Sequence, residues 1–380
     1  MKKIVVGYDA KRANANCTGL GNYSRFIIRA LKESGSGDRL QLYIPKRKQN
    51  TEYDELLALP GVSSHLPDTR WGRMVSALWR MFFMAPQLKR EGVELFHGLS
   101  NELPTGLRER GIRSIVTIHD LIFEVLPACY KPVDRWIYRW KFRSACERAD
   151  RVVAVSECTK RDIVRLYGID PRKIEVIYQG CDEMFSKPYT AAEIASAAEK
   201  YHLPKRFLLN VGTLEERKNL LEIVQALEHL PEEIHLVAVG RHTPYTTRVE
   251  EYAAAHGLTH RLHLLHKVAY RDLPLIYGGA EVMVYPSRYE GFGIPILEAL
   301  NMGVPVVAAT GSCLEEAGGP ETLYVSPDSP EELAQAVQRI LGDEALRSRM
   351  VERGREYVER FQKEVIAEQM ERLYDRVIGA

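Results

Sequence analysis

At 380 residues the chain exceeds one typical domain and has room for two of ordinary size, each able to bury its own core. A hydrophobic fraction of 45% with 27% charged residues is that of a globular protein, and no apolar run reaches the roughly eighteen residues of a membrane span. The net charge of +1 joins two opposed halves. Residues 1–200 hold 33 Lys+Arg and 24 Asp+Glu, or +9, which leaves 52 − 33 = 19 against 51 − 24 = 27, or −8, for residues 201–380. A basic first half suits an anionic membrane surface or a phosphorylated acceptor, and equally suits ordinary solvated charge.

In chain order, Met1 to Tyr8 reads as a short strand that turns polar too soon for a signal peptide, so the expected location is the cytoplasm. Strand patterns follow at residues 3–7, 40–44, 94–97, 114–118, 151–155 and 174–177, separated by helix-length segments. A polar, irregular stretch near 179–205 interrupts the alternation. It restarts at 207–211, 234–239, 262–265, 282–285, 306–308 and 323–325. The pattern predicts an α/β chain of two Rossmann-like domains in tandem, linked near Gln179-Gly-Cys-Asp182, with ligands at the C-terminal ends of the strands. The last fifty residues predict helices over 331–341, 344–361 and 363–377.

Six cysteines without C-x-x-C pairs predict reduced thiols. His256, His260, His263 and His266 cross from a helical into an alternating pattern, so they are not expected to converge on a metal. Residues 70–84 mix aromatics and arginines at helical spacing. Either that segment lies on an anionic bilayer, or Trp79, Phe82 and Phe83 are core with arginines at the rim.

Four strand ends carry ligand-like residues. Gly19 and Gly21, in Thr18-Gly-Leu-Gly-Asn-Tyr23, open a helix after the first strand, where backbone can approach an anion; the alternative is a tight loop. His119 and Asp120 emerge from the strand at 114–118, and Asp120 equally fits a cap. Arg217 and Lys218 are adjacent cations at an expected helix start, disfavoured by the dipole unless an anion lies between them. Glu290 and Glu298 flank a Gly-rich strand-to-helix turn, with Pro295 in the helix's first turn and Gly303 at its end. Such a junction aims backbone N–H groups at a phosphate, with one carboxylate on either side. Ser312-Cys-Leu-Glu315 reads as a capping box.

Taken together, Val211-Gly-Thr-Leu-Glu-Glu-Arg-Lys-Asn219, the Glu290-x7-Glu298 run, Gly-Leu-Gly-Asn-Tyr23, Val116-Thr-Ile-His-Asp-Leu121 and Val176-Ile-Tyr-Gln-Gly180 resemble the retaining glycosyltransferases of family 4, with bacterial mannosyltransferases as the nearest type. The resemblance implies the GT-B fold: two Rossmann-like domains facing across a cleft, with a C-terminal helix crossing back to the first. Its domains are an acceptor-binding 1–180, joined by about 363–380, and a nucleotide-sugar-binding 181–362. It implies that Arg217 and Lys218 hold the donor diphosphate with the amides of Phe292, Gly293 and Ile294, that Glu298 holds the ribose, and that Glu290 contacts the sugar. Gly19 and Gly21 would close on the phosphate, and His119 would line the sugar pocket. Glu290, His119, Arg217 and Lys218 are thus the residues nearest the chemistry. No metal or other cofactor is expected, since fixed cations and dipoles stabilise the leaving diphosphate. The implied partners are a nucleotide-sugar, foremost GDP-mannose, and a glycan or lipid-linked acceptor in cell-surface polysaccharide synthesis. Peripheral contact of the N-terminal domain with an anionic membrane is a further expectation, drawn from the basic first half and the segment 70–84, and nucleic acid is not among the expected partners. Thr213, where an arginine is common, and Gln362, where a Phe-Ser-Trp-like run is common, depart from the pattern. A sugar-nucleotide epimerase and a non-catalytic sugar-nucleotide binder are the rival readings.

Overall fold

The computed structural model describes residues 3–16, 19–35, 37–69, 75 and 78–379. The chain divides into two compact units, Met1–Gly180 with Phe361–Ala380, and Cys181–Arg360. Each is a parallel sheet. The first comprises β1 (Val5–Asp9), β2 (Arg39–Tyr43), β3 (Val62–His65), β4 (Leu95–Gly98), β5 (Arg113–Ile118), β6 (Arg151–Ala154) and β7 (Ile174–Val176), in the order β3-β2-β1-β4-β5-β6-β7. The second comprises β8 (Phe207–Val211), β9 (His235–Val239), β10 (Leu262–Leu265), β11 (Val282–Tyr285), β12 (Val306–Ala309) and β13 (Leu323–Val325), in the order β10-β9-β8-β11-β12-β13.

The strands β1, β4, β8 and β11 are buried along their whole length, which is why they read as continuous apolar runs: helices cover both faces. Both sheets reverse strand order at one point, between β1 and β4 and between β8 and β11. There the crossover loops part, leaving a crevice at the C-terminal strand ends. Gly7 lies against Val93, Leu88 and Phe96, where a Cβ would come within 3.1–3.2 Å, so the covering helix sits close on β1.

The first sheet has seven strands where the sequence predicts six. The extra strand β3 is Val-Ser-Ser-His at the sheet's edge, with no fully buried residue and therefore no apolar run to announce it. The C-terminal helices form at Pro330–Gly342, Glu344–Val358 and Lys363–Ile378. The last of these belongs to the first unit and buries Ile366, Met370, Leu373, Tyr374 and Val377 along one stripe. Lys363 Nζ reaches Glu33 Oε2 at 2.5 Å, which ties it to the helix Gly19–Glu33.

Of the segment 70–84, residues 70–74, 76 and 77 lie outside the described residues, as does Thr18 of the glycine loop. The described part divides between the two readings of the segment. Trp79 is fully buried and Arg80 is drawn inward to Asp9, its Nε at 3.1 Å, while Phe82 and Phe83 are about half exposed. Among the described residues no helix is long and apolar enough to cross a membrane.

Candidate functional site

The second unit concentrates charge at its switch point. After β8 the chain turns through Gly212 at φ +144°, then a short 3₁₀ turn, Glu216–Lys218, ended by Asn219 in the left-handed conformation. Asn219 holds that conformation by donating Nδ2 to Glu222 Oε2 at 2.8 Å and to the Pro327 carbonyl at 2.7 Å. Arg217 and Lys218 therefore sit in a turn ahead of the helix Leu220–Ala226 rather than inside its first turn. The anion between them is the protein's own Glu290. Its Oε1 receives Arg217 Nη1 at 2.8 Å, Lys218 Nζ at 2.7 Å, Ser287 Oγ at 2.8 Å and Tyr285 Oη at 2.9 Å. All four bonds reach Oε1. Lys218 also donates to the Tyr285 hydroxyl, and Arg217 to the Tyr289 carbonyl at 2.6 Å and to Glu215.

Burial alone would raise the Glu290 pKa; Lys218 and Arg217 outweigh it and hold the carboxyl down at about 2. Arg217 mirrors this, with burial opposed by Glu290 and Glu215 so that its pKa rises. Three residues on, Gly293 adopts φ +120° and opens the helix Ile294–Asn301, with Pro295 in its first turn and no side chain capping it. A Cβ on Gly293 would meet Leu314 Cδ2 at 3.1 Å, so the position is closed to larger residues by conformation and by space. The backbone N–H groups at this helix start suit an anion.

Glu298, on the buried side of the same helix, is in a different state. Burial raises its pKa to about 7, partly offset by the Tyr277 hydroxyl, which donates to Oε2 at 2.7 Å, and reinforced by Asp182. One carboxylate of the pair is thus firmly ionised and the other half-protonated near neutrality.

In the first unit Asp9, at the end of β1, is paired with Arg80, while the buried groups on and after β4 and β5 are neutral. His119, after β5, is buried; its Nε2 donates to the Leu99 carbonyl at 2.8 Å, which leaves Nδ1 to accept from Gln179 Nε2 at 3.2 Å. Its ring meets Tyr23 edge-on at 4.6 Å. Burial depresses its pKa to about 4. His97, on β4, joins Thr117 Oγ1 at 2.8 Å and the Tyr374 hydroxyl at 2.7 Å, and burial takes its pKa to about 3. Tyr374 in turn meets the Tyr8 hydroxyl at 3.2 Å, so the C-terminal helix is bonded into the centre of the first sheet. The two glycines divide in role. A Cβ on Gly21 would lie 1.8 Å from the Asn16 carbonyl oxygen, so that space is filled by the protein itself; among the described residues no atom stands within 4 Å of one on Gly19.

Residues 18–184 match the profile of Glycosyltransferase Family 4, and residues 192–357 that of Glycosyl transferases group 1. The chain belongs to the family 4 glycosyltransferases. O-antigen chain mannosyltransferase B of Escherichia coli is 27% identical over 355 residues, covering 89% of this chain and 90% of that protein. O-antigen chain mannosyltransferase RfbU of Salmonella typhimurium is 24% identical over 341 residues, covering 87% and 90%. The Anabaena HepE structure in complex with UDP and glucose superposes with a TM-score of 0.77 at 16% identity, over 99% of this chain and all of that one. At that identity the likeness shows the fold, the GT-B arrangement of two Rossmann-like domains.

For a family 4 glycosyltransferase, several of these contacts leave no local trace in the sequence. His97 and Tyr374 are 277 positions apart and meet only through the fold. Cys313 is buried and its Sγ donates to the carbonyls of Glu290 at 3.1 Å and Phe292 at 3.0 Å, fixing the loop that carries Glu290. The capping box expected at Ser312 does not form. Cys313 takes the cap position instead, and Ser312 Oγ is buried without a hydrogen-bond partner among the described residues. Asp120 accepts from the Ile122 amide at 3.1 Å, a turn-stabilising contact. The four clustered histidines face separate partners: Glu228 for His256, Glu232 for His260, His235 for His263 and the Gly240 carbonyl for His266. The five described cysteines form no disulfide.

Proposed function

We propose that this glycosyltransferase moves a hexose, with mannose from GDP-mannose as the leading candidate, from a nucleoside-diphosphate sugar to a hydroxyl of a glycan or lipid-linked acceptor in O-antigen-type polysaccharide synthesis. The observation that carries this reading is the convergence of Arg217, Lys218 and Glu290 at a strand-end crevice, beside an uncapped helix start. Two cations fixed by a buried carboxylate, with helix N–H groups alongside, suit the charge that gathers on a leaving diphosphate. The names of the two mannosyltransferase relatives favour mannose.

In this reading the second unit binds the donor and the first, with its C-terminal helix, the acceptor. Arg217 and Lys218 hold the diphosphate with the amides at Phe292, Gly293 and Ile294, while Glu298 receives the ribose hydroxyls. Glu290 keeps Oε1 on the cations and offers Oε2 to the sugar. Gly19, where backbone is uncovered, approaches the phosphate, while Gly21 lets the loop close on itself. His119, neutral and doubly bonded, lines the sugar pocket as a fixed shape and takes no part in proton transfer. Transfer proceeds with retention, the departing phosphate accepting the acceptor's proton, and needs no metal.

Incubation with GDP-mannose, UDP-glucose and ADP-glucose, in buffer with and without EDTA, followed by nucleotide release and by the anomeric configuration of the product, tests the proposal. Release from GDP-mannose that resists EDTA and falls in Glu290→Ala is expected. Full release in Glu290→Ala would remove Glu290 from the site, and inverted product would overturn the retaining reading.

A further inference from the structure

The helix Pro132–Arg148 is turned inside out for a globular protein. Its inward stripe is Phe142, Ala145 and Cys146, whereas Val133, Trp136, Ile137 and Trp140, at i, i+3, i+4 and i+7, line the opposite face. Val133 and Trp136 are each 68% exposed and Trp140 53%. Phe82 and Phe83 are 49% and 58% exposed. Phe82 and Trp140 line one open pocket, so the helix and the turn Trp79–Phe83 adjoin in a single aromatic surface. Folding gains nothing from holding two indoles and two phenyl rings in water, and contiguous exposed patches of this kind mark a binding surface.

The charge around the rings has a positive excess. Residues 131–148 carry Lys131, Arg135, Arg139, Lys141, Arg143 and Arg148 against Asp134 and Glu147, 6 − 2 = +4. Including Glu124 and Glu102, which pair with Arg139 and Lys141, the surface keeps 6 − 4 = +2. Indole rings favour the boundary between headgroups and acyl chains, and cations beside them favour acidic headgroups. We propose that this face, Phe82, Phe83, Val133, Trp136 and Trp140 with their ring of cations, docks the first unit on an anionic lipid bilayer. The surface is built from residues other than the expected arginines of 70–84: Arg80 points inward to Asp9, and Arg70 and Arg73 lie outside the described residues.

The docking needs no donor and is independent of the sugar chemistry, so it is tested on the full chain without substrate. In flotation with vesicles of equal parts phosphatidylcholine and phosphatidylglycerol, the chain is expected to rise with the lipid, and about tenfold less with phosphatidylcholine alone. Trp136→Ser with Trp140→Ser is expected to lower association with the mixed vesicles by about tenfold or more at an unchanged melting temperature, the rings being exposed already. Lys131→Glu with Arg143→Glu is expected to lower it while leaving nucleotide release intact. No association of the parent chain, or undiminished association of the double tryptophan variant, overturns the proposal. So does a dimer in sedimentation that the tryptophan variant dissociates, since a second copy would then own the face.

Discussion

The two units share a strand order over six strands and gather polar residues at its reversal, yet the pair of histidines after β4 and β5 in the first is neutral where the cluster beyond β8 and β11 in the second is charged. Around β4 and β5, His97 and His119 are buried, bonded through both ring nitrogens and kept neutral well below physiological pH. Beyond β8 and β11, Glu290 is buried and held ionised by Arg217 and Lys218, whose side chains remain partly exposed. Burial by itself opposes charge in both. What separates them is supply of partners: the second unit delivers two cations to one carboxylate oxygen, and the first delivers hydroxyls and carbonyls. A fold used twice thus yields one crevice suited to hydroxyl-rich ligands and another suited to an anion.

The sharpest way to break this contrast is to remove a charge. Lys218→Met, which leaves Arg217 and Glu290 paired, is expected to lower the rate of nucleotide release by about 10²–10³-fold, as loss of one fixed charge on the leaving group does; steady-state kinetics would read it. A second test separates the two carboxylates. Glu298 has a folded pKa of about 7, above its ordinary 4.5, so its contribution is complete below pH 4.5 and is lost as pH rises through 7. The loss amounts to roughly 3 kcal/mol. Glu290, depressed to about 2, contributes above pH 4.5 and loses that contribution as pH falls toward 2. Denaturation of Glu298→Gln between pH 5 and 8 is therefore expected to flatten the decline seen in the parent chain; an unchanged slope would contradict the assignment.

The neutral side is probed by Tyr374→Phe, which removes the hydroxyl shared by His97 and Tyr8. It is expected to cost about 1–3 kcal/mol in thermal or denaturant unfolding, with donor-dependent nucleotide release unaffected. The smallest effect belongs to Cys313→Ala. Losing the one weak thiol donor shared by two carbonyls of the Glu290 loop is expected to cost about 1 kcal/mol and to raise the donor KM modestly.

Much of the fold is legible because buried parallel strands are apolar throughout: twelve of the patterns read from sequence fall on strands, and β3 escapes because an exposed edge needs no apolar run. The glycine at 293 and the proline at 295 betray their helix start, since only certain residues tolerate that backbone. Cations beside a helix start raise the question of a counter-ion, but nothing in the local spacing says that it is Glu290, seventy-two residues on from Lys218. The same holds for His97 with Tyr374. The helix carrying Trp136 and Trp140 hides for a different reason: periodicity gives an apolar stripe but not whether it faces inward, and here it faces out.

The convergence of four donors on Glu290 Oε1 has a consequence for which anions the second unit accepts. Because Glu290 and Glu215 together already balance Arg217 and Lys218, a small anion such as inorganic phosphate finds little uncompensated field, and meets carboxylates of its own sign. A ligand that also brings a sugar and a ribose has other groups to bind with. In the proposed donor site the internal counter-ion would thus act as a threshold on affinity, one that rewards size and hydroxyl content and turns away bare charge.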